Sequence, residues 1–325
     1  ESVRPEARYH VFEDRISRAP ATVGPSGPNI PNDPYYAPQA WHYAAIGLPD
    51  AWRITTGSAS VLVAVVDDGI RFDHPDIAPN LTSDGYDFVS NDQAFVCGDI
   101  LSNAGDGDGY DPDPTNPMDN DCWTGGPSQF GDHGLHVAGT IGAAGNDGVG
   151  VTGINWTVRI RPVRGLGLGG GSDYDIAQAI LYAAGLPADN GKLGTVQAAT
   201  GARVINMSFG GGQDTPLLHN AIKAAAKAGV LLVAAAGNSG SAVALYPAAY
   251  DEVLAVSAVG PDMRLASYSS FGPKVGIAAP GGDIDTGAWS FAVASTMWDY
   301  VTNRPTYAFA AGTSMAARHV TGVAA

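Results

Sequence analysis

The chain has 325 residues, 45% of them hydrophobic, enough for one large α/β domain or two ordinary ones around a substantial core. Its formal net charge of −15 and pI near 4.6 argue against nucleic acid as a partner, because a phosphate backbone would be repelled. No stretch reaches the roughly 18 apolar residues of a membrane span, so no membrane partner is expected. The carboxylate excess serves solubility or suits calcium, which takes oxygen ligands.

No starting methionine or signal peptide is present, so a processed or partial sequence is expected. Residues 1 to about 29 are charged, then rich in Pro, Gly and Ser from Ala19 to Pro31, the composition of a linker. The compact domain is expected to start near residue 30 and run to 325. Two cysteines, Cys97 and Cys122, lie in one polar loop with no flanking His or further Cys. Such a pair reads as a disulfide rather than a metal site and favours secretion.

Val61 to Val66 is a continuous apolar run rich in valine, fitting a buried parallel strand. Asp67-Asp68-Gly69 ends it. An aspartate there is either a strand-ending Asx turn or a working group at the carboxyl end of a parallel strand. Further on, Asp106, Asp108, Asp111 and Asp113 crowd into a Gly-rich loop that lacks the closing glutamate of an EF-hand. It reads as a calcium loop or as a solvated acidic loop.

Gly131-Asp132-His133-Gly134-Leu135-His136 opens a small-residue helix. Two His three apart without an intervening Glu argue against zinc. Val158 to Val163 is a strand that feeds a Gly-rich run, Gly165 to Gly171. This run lacks the Gly-Lys-Ser/Thr of a phosphate loop, and bare backbone of this kind can pair with another chain. Ser172 caps a helix over Asp173 to Ala184, closed by Gly185. Val204 to Met207 is a strand ending in Ser208-Phe209-Gly210, Leu217 to Ala228 an amphipathic helix, and Val230 to Ala235 a buried strand that ends at Gly237-Asn238. Asn238 there is a turn residue tolerant of αL or an amide donor. The alternation of strands and helices predicts an α/β fold, a mostly parallel central sheet with helices on both faces.

Near the C-terminus Gly312-Thr313-Ser314-Met315-Ala316 delivers a serine at the start of an apolar helix, where N–H groups suit a developing oxyanion. Serine is a weak nucleophile that needs a base, and the base needs an orienting group. Asp67, His133, Asn238 and Ser314 together supply orienter, base, oxyanion donor and nucleophile for acyl transfer.

These four motifs, in this order, resemble those of the subtilisin-like serine proteases, the subtilases, and most of all the secreted bacterial ones. The matches are Val65-Val66-Asp67-Asp68-Gly69, His133-Gly134-Leu135-His136-Val137-Ala138-Gly139-Thr140, Ala235-Ala236-Gly237-Asn238 and Gly312-Thr313-Ser314-Met315-Ala316. The resemblance implies a three-layer fold and a secreted monomeric endopeptidase. An extended peptide would lie between Leu168-Gly169-Gly170 and Ser208-Phe209-Gly210, with Leu245 at the floor of the specificity pocket. It also implies a structural calcium held by Asp33, Asp76, Asp147 and the carbonyls of Gly145, Val149 and Val151, with the Asp106 to Asp113 loop as a second site. Residues 1 to 29 would be a propeptide remnant and linker that inhibits and assists its own domain, with processing between about Pro28 and Asn32.

Three departures stand out. Leu135 replaces the usual Thr or Ser, and Arg318 replaces a proline, a cost to stability unless it reaches solvent or a carboxylate. The chain also stops at Ala325, where family members continue, so an apolar surface from Val320 to Ala325 is expected. The alternative of another class is a subtilase-fold protein that binds peptides without cutting them.

Overall fold

The computed structural model describes residues 8–11, 15–18, 30–90, 106–107, 109–117, 130–167, 169–211, 213–284 and 288–325. Cys97, Cys122, Asp108 and Leu168 lie outside the described residues.

Two short strands, β1 (Arg8–Val11) and β2 (Arg15–Arg18), precede helices α1 (Tyr36–Ala45) and α2 (Leu48–Ala51). The valine run forms β3 (Gly57–Asp67), followed by β4 (Tyr86–Asp87) and β5 (Phe130–Gly131), which leads into α3 (His133–Gly142). Next come β6 (Thr157–Arg164), β7 (Gly171–Ser172), α4 (Asp173–Ala183) and a hairpin of β8 (Ala188–Asp189) and β9 (Thr195–Val196). The second half holds β10 (Val204–Met207), β11 (Phe209–Gly210), α5 (Pro216–Lys227), β12 (Leu231–Ala235), β13 (Val253–Val259) and β14 (Val275–Pro280). It closes with the hairpin β15 (Val293–Asp299) and β16 (Arg304–Ala311), then α6 (Thr313–Ala324).

Seven of these strands form the central sheet in the order β14-β13-β12-β10-β3-β6-β4, every pair parallel. Alternation along β3 explains the layering. Leu62, Ala64 and Val66 pack with α4 and α5 on one face, whereas Val63 and Val65 pack with α3 and α6 on the other. Each valine buried this way contributes about 1.5–3 kcal/mol. The predicted caps form: Ser172 Oγ accepts from Asp175 N, and Thr215 Oγ1 accepts from Leu218 N at the start of α5. The strand order turns around between β3 and β10, the place in a doubly wound sheet where a crevice opens at the carboxyl ends of the strands.

Two smaller sheets flank that crevice. One has the order β11-β1-β7 and the other β2-β16-β15-β5, all antiparallel. At the end of α6 Val323 is 63% exposed, whereas Gly322 is buried against Ile154.

Candidate active site

Asp67 sits at the carboxyl end of β3, 1% exposed, because the apolar strand carries its last residue to the sheet edge. Its Oδ1 meets His133 Nδ1 at 2.7 Å and also accepts from Asp68 N at 2.9 Å. His133, the first residue of α3, is 3% exposed.

The helix start at His133 depends on a residue that the sequence reading passed over. Asp68 Oδ2 accepts from His133 N at 3.0 Å, and its Oδ1 accepts from Gly134 N at 2.7 Å. The carboxylate therefore caps two of the orphan donors of α3 from outside the helix and complements its dipole. Residue 134 must be glycine, since a Cβ there would lie 2.2 Å from the Gly69 carbonyl oxygen. The acidic doublet Asp67-Asp68 was the available signal; the partner of the second aspartate is 65 residues away in the chain.

Ser314 lies in the first turn of α6 and is 0% exposed. Its Oγ donates to the Ser208 carbonyl at 2.8 Å, and Ser208 Oγ donates back to the Ser314 carbonyl at 3.1 Å. Asn206 Nδ2 supports Ser208 Oγ at 2.8 Å, and Thr321 Oγ1 donates to Asn206 Oδ1 at 2.9 Å. This side-chain ladder ties α6 to β10.

Asn238 follows β12. Its Oδ1 accepts from both Thr313 N, 2.9 Å, and Thr313 Oγ1, 2.8 Å. Those bonds fix the amide orientation and leave Nδ2, a buried donor, with no hydrogen-bond partner among the described residues. A buried donor costs about 1–3 kcal/mol when unmet, so this one is set for a ligand oxygen. Thr313 thus holds donor and serine together. Leu245 is half-buried, and its side chain lies against Gly237, the residue before Asn238, with Leu245 N bonded to the Ala236 carbonyl.

The expected peptide edges carry a strand, one that belongs to this chain. β1 lies between them, with His10 opposite Gly210, Val11 opposite Phe209, Tyr9 opposite Gly171 and Arg8 opposite Ser172. On the first edge the pairing residues are Gly171 and Ser172, one step past Gly169 and Gly170. Gly170 exchanges backbone bonds with Gly167 in a tight turn, which uses up its own N–H and carbonyl.

The loop around Asp147 gathers carboxylates. Asp33 accepts from Asn146 N and Asp147 N, Asp147 Oδ1 accepts from Val149 N, and Asp76 Oδ2 accepts from Val151 N. Burial, with help from the neighbouring carboxylates, raises Asp33 to about 6 and Asp76 to about 8. Asp76 Oδ1 is buried with no hydrogen-bond partner among the described residues. Among the described residues no three His, Cys, Asp or Glu side chains converge on a metal-sized point, so any cation there must also use carbonyls such as Gly145, Val149 and Val151.

In the acidic loop the described carboxylates Asp106, Asp111 and Asp113 have protein partners. Asp106 pairs with Arg164 at 2.6 Å, Asp111 accepts from Asp113 N, and Asp113 accepts from Thr115 N and Oγ1.

The model of the subtilase family matches residues 58–325. The chain belongs to the subtilase family. It is 38% identical over 298 residues to a thermophilic serine proteinase of Bacillus sp. strain AK1, covering 91% of this subtilase and 59% of that protein. It is 37% identical to an extracellular basic protease of Dichelobacter nodosus, covering 91% of this chain and 47% of that one. This subtilase spans about half the length of these relatives. Against thermitase of Thermoactinomyces vulgaris it is 32% identical over 90% of this chain and 84% of the other. A solved protease structure from Pseudoalteromonas arctica is similar in fold, with a TM-score of 0.78, 37% identity and coverage of 90% and 85%.

Proposed function

We propose that this subtilase is a serine endopeptidase that cuts peptide bonds through an acyl-enzyme. The observation that carries the reading is the buried 2.7 Å bond between Asp67 and His133 at the start of α3, with α6, which packs on α3, opening at a serine and an amide donor held together by Thr313. Ser314 Oγ turns from the Ser208 carbonyl to the His133 imidazole, gives up its proton and attacks the scissile carbonyl. Asp67 fixes the tautomer by accepting from Nδ1 and stabilises the imidazolium that forms. Asn238 Nδ2 and the Ser314 backbone N–H hold the oxyanion, and His133 then protonates the leaving amine.

Substrate binds as an added strand between the edges that now hold β1. Leu245 against Gly237 shortens the pocket for the residue before the scissile bond, so small apolar side chains are favoured over Phe or Tyr. A structural calcium fits at Asp33, Asp76 and Asp147 with the nearby carbonyls. Bound there, it neutralises crowded carboxylates, and the orphaned Asp76 Oδ1 supports it. The Asp106 to Asp113 loop carries no part of that reading.

The enzyme is secreted and acts as a monomer, with its own N-terminal segment as inhibitor. Support for secretion is that relatives are named extracellular proteases.

The test is casein hydrolysis and fluorophosphonate labelling at Ser314, with Ser314→Ala as control. Labelling with hydrolysis is expected. An unlabelled Ser314 in folded, calcium-loaded protein would leave a peptide-binding protein instead.

A further inference from the structure

Arg164 ends β6 between two aspartates. In the sheet register it stands opposite Asp67 of β3 on one side and Asp87 of β4 on the other. Its side chain is fully buried. Nε donates to the Asp68 carbonyl at 3.1 Å, and Nη1 donates at 2.6 Å both to Asp87 and to Asp106 in the acidic loop. Its Cδ lies under the Asp67-Asp68-Gly69 corner, 3.1 Å from where a Cβ on Gly69 would stand. Backbone bonds complete the hold on that corner. Gly165 N and Leu166 N donate to the Asp67 carbonyl at 3.0 and 3.2 Å, and Ile70 bonds through its N–H to the Pro114 carbonyl and through its carbonyl to Asn116 N.

We propose that Arg164 is a positioning residue for the base: it fixes the corner whose two carboxylates orient His133, and through Asp106 it ties the acidic loop to the catalytic rate. This rests on the endopeptidase reading given above. A buried arginine carries a large desolvation cost, and pairing with Asp87 and Asp106 offsets it whether or not Nε meets the corner. The bond to the Asp68 carbonyl is the part that a counter-ion alone does not need. Asp68 is thereby gripped at both ends, its main chain by Arg164 and its carboxylate by His133 N and Gly134 N. Asp67, one residue earlier, holds Nδ1 of the same histidine. A movement of the corner therefore shifts both anchors of His133 together. A guanidinium serves the corner and the carboxylates at once, because its N–H groups diverge from one rigid plane, whereas an ammonium is a compact point charge on a flexible stem. Asp106, read from the sequence as a calcium ligand, meets a cation supplied by the chain itself. β6 also supplies a matched control. Arg161, three residues earlier, is equally buried, but its guanidinium pairs with Asp84 at 2.5 Å and donates to the Thr200 carbonyl at 2.7 Å.

The experiment compares Arg164→Lys and Arg161→Lys with the wild type, all in calcium. It measures kcat and KM on a peptide amide and records the low-field proton NMR signal of His133 Nδ1–H, with fluorophosphonate labelling of Ser314 on the same samples. Both substitutions keep the charge and lose the fork. Arg164→Lys is expected to lower kcat about tenfold with KM little changed and to move the Nδ1 signal upfield, because the Asp67 bond loosens. Arg161→Lys is expected to leave both at their wild-type values. Asp106→Asn removes one anchor of the guanidinium without burying a new charge, and is expected to move kcat and the signal in the same direction by less. Wild-type kcat in Arg164→Lys, or in Asp106→Asn where Arg164→Lys does not fold, overturns the proposal. So does an equal loss in the two lysine variants, or a fall in kcat with the Nδ1 signal unmoved, since either assigns Arg164 to stability alone. In those cases a wild type that labels and cuts leaves the endopeptidase reading standing. Folded wild type whose Ser314 neither labels nor cuts overturns both.

Discussion

Arg318 is fully buried on α6, and its Nη1 donates to the His136 carbonyl at 2.5 Å while also facing His136 Nδ1. His136 Nε2 meets the Ala308 carbonyl at 3.0 Å, so the ring is neutral, with Nε2 protonated and Nδ1 accepting. Burial, then the Arg318 charge, holds its pKa well below the ordinary 6.5. The arginine that stands in place of the family proline has thus turned inward to a carbonyl and an imidazole, where the sequence reading looked for solvent or a carboxylate.

A guanidinium buried in that position carries a desolvation cost that its interactions seldom offset in full. Arg318→Met, of similar volume, is expected to stabilise the protein by about 1–3 kcal/mol with kcat retained. Urea unfolding at pH 7 reads this directly; a less stable Arg318→Met would mean that the bonds to His136 outweigh the burial.

Asn238 Nδ2 has no hydrogen-bond partner among the described residues, and its work is expected only in the transition state. Asn238→Ala is expected to lower kcat by about 10²–10³ with KM little changed, a magnitude established for this donor position in subtilisin. A change confined to KM would assign the side chain to substrate binding.

Asp68 acts through His133 rather than on substrate. Asp68→Ala removes both acceptors at the start of α3 and is expected to cost about 0.5–2 kcal/mol of stability. It is also expected to lower kcat while leaving KM unchanged. Asp68→Ser, which keeps one short acceptor, is expected to restore most of both; if it fails as badly as alanine, the negative charge itself matters.

His319 Nδ1 donates to the Met315 carbonyl at 2.7 Å, and its Nε2 lies 2.9 Å from His42 Nδ1, so both nitrogens of His319 are engaged and an added proton there would break a bond. Burial first, and Arg318 as a secondary cause, depress His319 to about 3. The unfolded chain binds this proton below about pH 6.5 and the folded chain does not. The contribution is therefore complete above that pH and is lost as pH falls, at up to about 1.4 kcal/mol per pH unit. Buried carboxylates with raised values, Asp76 and Asp87, act in the opposite sense. The comparison is accordingly wild type against His319→Gln from pH 7 to pH 5, where the variant is expected to have a flatter profile. Parallel profiles would show that His319 does not titrate on unfolding.

Chelation is expected to destabilise the protein by about 3–4 kcal/mol, the linkage expected when calcium is present at 100 to 1,000 times its dissociation constant. Asp76→Asn is expected to be less stable in calcium and indifferent to chelator. A chelator response unchanged by Asp76→Asn would place the ion elsewhere.

The sequence by itself determined the fold class and nominated the chemical groups. A valine run at the edge of a parallel sheet, two small-residue helix starts and a strand-ending Asn leave few other uses for Asp67, His133, Asn238 and Ser314, because nucleophile, base, orienter and donor each demand a residue type at a particular kind of turn. Only the tertiary structure decided what holds them. Asp68 reaches α3, Thr313 clamps Asn238, and Asn206 and Thr321 brace Ser314 across gaps of 65, 75 and about 110 residues that no local pattern encodes. The same holds for Arg318, whose burial follows from the packing of α6 on α3, and for β1 and β2. Their short, charged sequence has no strand signal, since the order comes from backbone bonds to edges already built by the rest of the chain.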